Sequence, residues 1–104
     1  MQAEIITRRD DLMMRRLVLA PGEAMPWPTD ACHRCSVIVR GQHLTMEFRG
    51  TGERLGLAVP PGLVDWDVPD ARVHRAVTTG STPYEAVVTC LLSVPGLVPQ
   101  PASP

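Results

Sequence analysis

The chain has 104 residues, about the size of one domain, and its 44% hydrophobic and 20% charged content excludes wholesale disorder. Eleven prolines and eight glycines punctuate it too often for long helices, because each interior proline costs a helix about 3 kcal/mol. All ten cations are arginine and the formal net charge is −1, which excludes a basic footprint for nucleic acid.

Short β-compatible runs follow one another along the chain. They span 4–7, 12–20, 33–40, 43–49, 54–59, 64–67, 72–78 and 84–92. The segment 9–19 also fits a helical period through Leu12, Arg15, Arg16 and Leu19. Val18 and Leu19 ahead of Pro21-Gly22 favour a strand instead. Arg8, Arg9, Arg15 and Arg16 alternate with Asp10 and Asp11, the pattern of a solvated charged face. Arg40, Gly41 and Gln42 separate two strand runs and predict a tight hairpin. In 43–49, Leu44, Met46 and Phe48 share one face and His43, Thr45, Glu47 and Arg49 the other, as in a half-buried strand. Gly50-Thr51-Gly52, Pro60-Pro61-Gly62, Pro69-Asp70 and Gly80-Ser81-Thr82-Pro83 mark further turns. The run 84–92 is apolar on both faces and predicts a strand covered on each side. Eight short strands with this punctuation predict an all-β sandwich or barrel.

The last ten residues, 95–104, hold four prolines, which predicts an extended or disordered tail. The expected division is a barrel over 1–92 and a proline-rich tail over 93–104. No apolar run approaches the roughly 18–20 residues of a membrane helix, and the charged N-terminus lacks the apolar stretch of a signal peptide. Three cysteines, an odd number, fit reduced thiols in a cytoplasm. The arginine-only cation set is expected of a GC-rich bacterial genome.

Pro21-Gly22, a loop ending near Asp30, a turn at Gly41 and His74 on a late strand resemble the cupin family. Members of the small single-domain kind are double-stranded β-helix, or jelly-roll, barrels. Their first motif, G-x5-H-x-H-x3/4-E-x6-G, runs here from Gly22 to Gly41 with both spacings kept. Its three ligand positions fall on Pro28, Asp30 and Arg34. In the second motif, G-x5-P-x-G-x2-H-x3-N, Pro69 and His74 match, while Ala71 and Thr78 replace the second glycine and the asparagine. Gly62 stands one residue before the first glycine position. The resemblance covers roughly residues 12–92 and implies a homodimer with a metal or small-molecule site inside the barrel.

His74 is the leading candidate residue. Alternation with Ala76 and Thr78 points it inward, where the family keeps its fourth ligand, and a neutral imidazole suits iron, nickel or zinc. Asp30 would add one oxygen donor. Arg34, at the glutamate position, repels a second cation and favours an anion, or else pairs with Asp30. A frame shifted by one residue puts Cys35 there, giving a mixed divalent-metal set of Asp30, His33 or Cys35, and His74. Manganese is the remaining metal such a site would take. Cys32 and Cys35 form a C-x-x-C, whose bland alternative is two thiols at a strand start; Cys90 reads as a small buried hydrophobe. Trp27 and Trp66 stand near strand ends, where rings can wall a pocket or pack a barrel end.

Three functions remain open on this evidence. The first is a barrel that binds a small organic ligand, anionic by the argument from Arg34, near Arg34, His74 and Trp66. The second is a metal-dependent oxygenase, isomerase or lyase with an atypical ligand set around His74. The third is a purely structural dimerisation unit with a filled interior.

Overall fold

The structure, a computed structural model, describes residues 1–25, 32–68 and 73–92. Eight strands occur there: β1 (Gln2–Arg8), β2 (Leu12–Leu19), β3 (Arg34–Arg40), β4 (His43–Phe48), β5 (Arg54–Ala58), β6 (Val64–Asp67), β7 (His74–Thr78) and β8 (Tyr84–Leu91). No helix long and apolar enough to cross a membrane is present among the described residues. The segment 9–19 is β2 in its main part, as the apolar pair before Pro21-Gly22 requires. The expected tail at 93–104 lies outside the described residues, as do Trp27, Pro28, Asp30, Pro69 and Ala71.

The strands form a five-stranded sheet in the order β1-β2-β8-β3-β6 and a three-stranded sheet in the order β5-β4-β7. From β3 onward the chain changes sheet between β3 and β4, β5 and β6, β6 and β7, and β7 and β8. Only β4 and β5 are joined as a hairpin in that stretch. This winding is a double-stranded β-helix, the jelly-roll barrel that the cupin resemblance implies.

Period-two alternation decides what fills the interior. On β8, Tyr84, Ala86, Val88 and Cys90 are buried. Leu17 and Leu19 on β2, Ile38 on β3 and Leu44 on β4 join them in one core. Burying a side chain the size of leucine or valine contributes about 1.5–3 kcal/mol. The outer residues of β8, including Val87 and Leu91, are only half-buried. The barrel therefore covers one face of β8 and leaves the other partly open. On that outer face Glu85 accepts from Arg16 Nε at 2.7 Å and Arg40 Nε at 3.0 Å. The hydrogen bond from Arg16, ahead of the one from Arg40, holds the Glu85 carboxyl below its usual range. β1 pairs with β2 along most of its length, with an irregularity between Ile5 and Thr7, yet every one of its residues is exposed.

The predicted hairpin at Arg40, Gly41 and Gln42 is instead a corner. β3 pairs with β6 and β8, whereas β4 pairs with β5 and β7. The glycine is required by close approach. A Cβ on Gly41 would lie 2.5 Å from the Val59 carbonyl oxygen and 3.3 Å from Ile38 Cγ2. Gly41→Ala is accordingly expected to destabilise the fold by about 1–3 kcal/mol through overpacking. Urea denaturation measures this; a loss no larger than that of an exposed, unstrained glycine-to-alanine change would contradict the corner's role.

Candidate functional site: a polar wall inside the barrel

The two sheets enclose a cavity of about 390 Å³, within the usual range of about 300–1,000 Å³ for small-molecule sites. Much of its lining is apolar, with Met25, Met46, Leu57 and Val88 among the contributors. One wall is polar, and β3 and β6 build it. The β3 alternation sends Arg34, Ser36 and Ile38 to the same face as buried Val88 and Ala86. Antiparallel pairing sets Asp67 opposite Arg34 and Asp65 opposite Ser36, so both aspartates share that inner face.

Arg34 Nε donates to Asp67 Oδ2 at 3.3 Å, with the two side chains 21% and 35% exposed. The guanidinium thus enters the interior as expected, and Asp67 shares it. On β7, His74, Ala76 and Thr78 alternate inward, and His74 is 4% exposed. Its ring lies 5.6 Å from that of Phe48, tilted by 36°, because the two residues are register partners on β7 and β4. Thr78, where the family motif has asparagine, is fully buried, and its Oγ1 has no hydrogen-bond partner.

The remaining candidates fall elsewhere. Cys35 pairs with Thr89 and Trp66 in a register that runs without a shift from Arg34 to Ile38. It therefore lies on the outer face, and the frame that moves Cys35 inward needs a bulge beside it, whereas the one irregularity of the β3–β8 pairing falls between Ile38 and Arg40. His33 continues the ladder, its carbonyl accepting from Leu91 N–H at 2.9 Å; alternation places it with Cys35, away from Arg34. Cys32 packs against the core while Cys35 faces out, so the C-x-x-C divides between two faces. Trp66 borders the cavity on β6 but is 66% exposed, its register partner being outward Cys35.

No group of three or more His, Cys, Asp and Glu side chains is placed to hold a metal ion among the described residues. Of the expected set of Asp30, His33 or Cys35, and His74, only His74 reaches the interior among the described residues, Asp30 lying outside them, and a guanidinium occupies the glutamate position. The described donors alone fall short of the three protein ligands usual for a divalent ion.

Ser36, Asp65, Asp67 and Tyr84, polar groups at the cavity, had no place among the sequence candidates. The signal was present in Val64-Asp65-Trp66-Asp67, which alternates perfectly. The usual apolar-inward rule turns that strand the wrong way, because here the carboxylates face in and the tryptophan faces out.

The fold is shared with proteins of known structure. A cupin domain protein from Bordetella pertussis Tohama I superposes with a TM-score of 0.75 at 13% identity, covering 86% of this chain and 91% of that one. A conserved protein with a double-stranded β-helix domain from Klebsiella pneumoniae gives 0.67 at 16% identity, covering 91% and 79%. KdgF from a Halomonas species gives 0.59 at 21% identity, covering 86% and 77%. No family model matches the sequence, and no curated protein matches it. The chain has the cupin fold.

Tyr84 is 8% exposed. Burial, partly opposed by the positive charge of Arg34, pushes its phenol up to about 12. An unfolded phenol ionises near pH ~10, so above that pH the unfolded chain has lost a proton that the folded chain keeps. The stability tied to the neutral phenol is complete below pH ~10 and falls as the pH rises, by about 2–3 kcal/mol in all. Tyr84 is the chain's one tyrosine, so tyrosinate absorbance reads it directly. A folded-state midpoint near that of free tyrosine would contradict the buried placement.

Proposed function

We propose that the protein binds a small organic molecule inside its barrel, against Arg34 and His74 with Trp66 at the rim. The observation that carries this reading is the cavity itself: about 390 Å³, with apolar walls and a localised cluster of polar groups. A filled interior would have favoured a purely structural role. Apolar lining supplies most of the affinity of such sites, and a few fixed polar groups orient the ligand. Tyr84 stays protonated at neutral pH and offers a hydrogen-bond donor. The reading includes a cytoplasmic setting, which the odd cysteine count supports.

Metal-dependent catalysis around His74 draws no support from the donor arrangement among the described residues. Protein purified without chelator is expected to carry no stoichiometric iron, nickel, manganese or zinc. Stoichiometric metal that disappears in His74→Ala would overturn this. The binding reading is tested by titrating small organic molecules while following amide and side-chain NMR signals. Shifts are expected at His74, Tyr84 and Met46. They should be abolished in Ala76→Leu, which fills the cavity from β7, and affinity should fall at least about tenfold. A compound set that perturbs none of these residues would defeat the proposal.

The homodimer is proposed on the outer face of the five-stranded sheet. Trp66 and Val64 on β6 are 66% and 53% exposed, and Val37 beside them on β3 is 40% exposed. Apolar side chains grouped in this way mark interaction surfaces. A two-fold pairing would cover the same patch on both copies at once. Light scattering is expected to give a dimer for the native chain and a monomer for Trp66→Glu. A native monomer at micromolar concentration would refute it.

A further inference from the structure

The charge balance of the polar wall bears on what kind of molecule the cavity accepts, and the argument rests on the binding reading above. Three formally charged side chains among the described residues face the cavity from its polar wall: Arg34, Asp65 and Asp67. Arg75 also borders the cavity, but its Nε donates to Glu47 Oε1 at 2.9 Å, and the pair belongs to the outer face of β7 and β4. Tyr84 keeps its proton at neutral pH. Among the described residues that wall therefore carries one positive and two negative charges.

Arg34 and Asp67 answer each other across the β3–β6 ladder. Asp65 is different. It lies opposite Ser36 on the inner face, it borders the cavity, and among the described residues no ion pair or hydrogen bond engages its side chain. An anionic ligand that sought Arg34 would have to displace Asp67 and then sit beside Asp65. Two carboxylates and a ligand anion at one cavity repel one another. A cation meets the opposite field.

We infer that the cavity selects a small amine-bearing molecule, its ammonium group seated on Asp65 and its apolar body against Met46, Leu57 and Val88. The wall's geometry supports both halves of that description. An ammonium donates its protons to carboxylate oxygens, and Asp65 accepts without giving up an existing partner. Ser36, across the ladder from Asp65, offers a hydroxyl oxygen as a further acceptor. Arg34 stays with Asp67, fixing the carboxylate nearest to it and keeping the wall's net charge negative.

Three probes of nearly equal size and shape separate the possibilities: cyclohexylamine, cyclohexanol and cyclohexanecarboxylate. Their dissociation constants are measured by NMR titration at neutral pH with the full chain and with Asp65→Asn. Asp65 is exposed on an edge strand, so the substitution leaves the fold intact, which the unchanged spectrum of the free protein verifies. The ammonium is expected to bind at least about fivefold more tightly than the alcohol, with the carboxylate weakest. In Asp65→Asn the ammonium's advantage over the alcohol should vanish and carboxylate binding should improve. Tighter binding of the carboxylate to the native chain overturns the inference and leaves the binding reading standing. An ammonium preference that persists in Asp65→Asn overturns it as well, because the selectivity then lies elsewhere. Should none of the three shift the cavity residues, the binding reading falls and takes this inference with it.

Discussion

A carbonyl oxygen and a residue without a side chain hold the two sheets at their working distance. Gly41 lies where β3 leaves one sheet and β4 enters the other, against the backbone of Val59 just beyond β5. The two-residue link turns the inner residues of β3 toward those of β4, so Arg34, Ser36 and Ile38 look across the interior at Leu44, Met46 and Phe48. Val59 is itself buried and borders the cavity. A side chain at position 41 would push it aside and alter the separation on which the cavity depends. Packing at one corner is thereby linked to the dimensions of the site.

Inside that frame the chain places charge on the inner face of an edge strand. β6 is an edge strand, and its two aspartates turn inward beside Arg34. Inward charge on an edge is tolerable because the cavity leaves room for solvent and because Arg34 and Asp67 compensate each other. The same inversion exposes Val64 and Trp66 on the other face. One strand therefore sets both the chemistry of the interior and the stickiness of the exterior, and the two cannot be varied separately by sliding its register.

The eight strands were legible because alternation and turn residues agree in nearly every segment, with bounds that differ from the observed ones by a residue or a few. The connection at Gly41 was not. A hairpin and a sheet-crossing corner both call for a short link with glycine, and only the partners of β3 and β4 distinguish them. Within the site, motif spacing and alternation located His74 and Arg34 on the inner face. A motif frame shifted by one residue drew Cys35, with His33 beside it, toward the same place, but unbroken alternation from Arg34 to Ile38 admits Arg34 and rejects its neighbours. Asp65 and Asp67 were hidden by symmetry: a pattern that alternates cleanly specifies two faces without saying which is inside. Asp30 lies outside the described residues.

β1 contributes ladder hydrogen bonds with no buried side chain. Its place in the fold is better understood from what it hides than from what it packs. Without it the edge of β2 would stand open, and β2 offers Leu12, Met13, Met14, Leu17, Val18 and Leu19, a stretch well suited to recruit strands from other molecules. β1 occupies that edge and substitutes its own, which is irregular at Ile5 to Thr7 and carries Glu4 and Arg8. Charge and a broken ladder make a poor template for further pairing. The most exposed strand thus covers an edge that would otherwise stand open, without adding a side chain to the core.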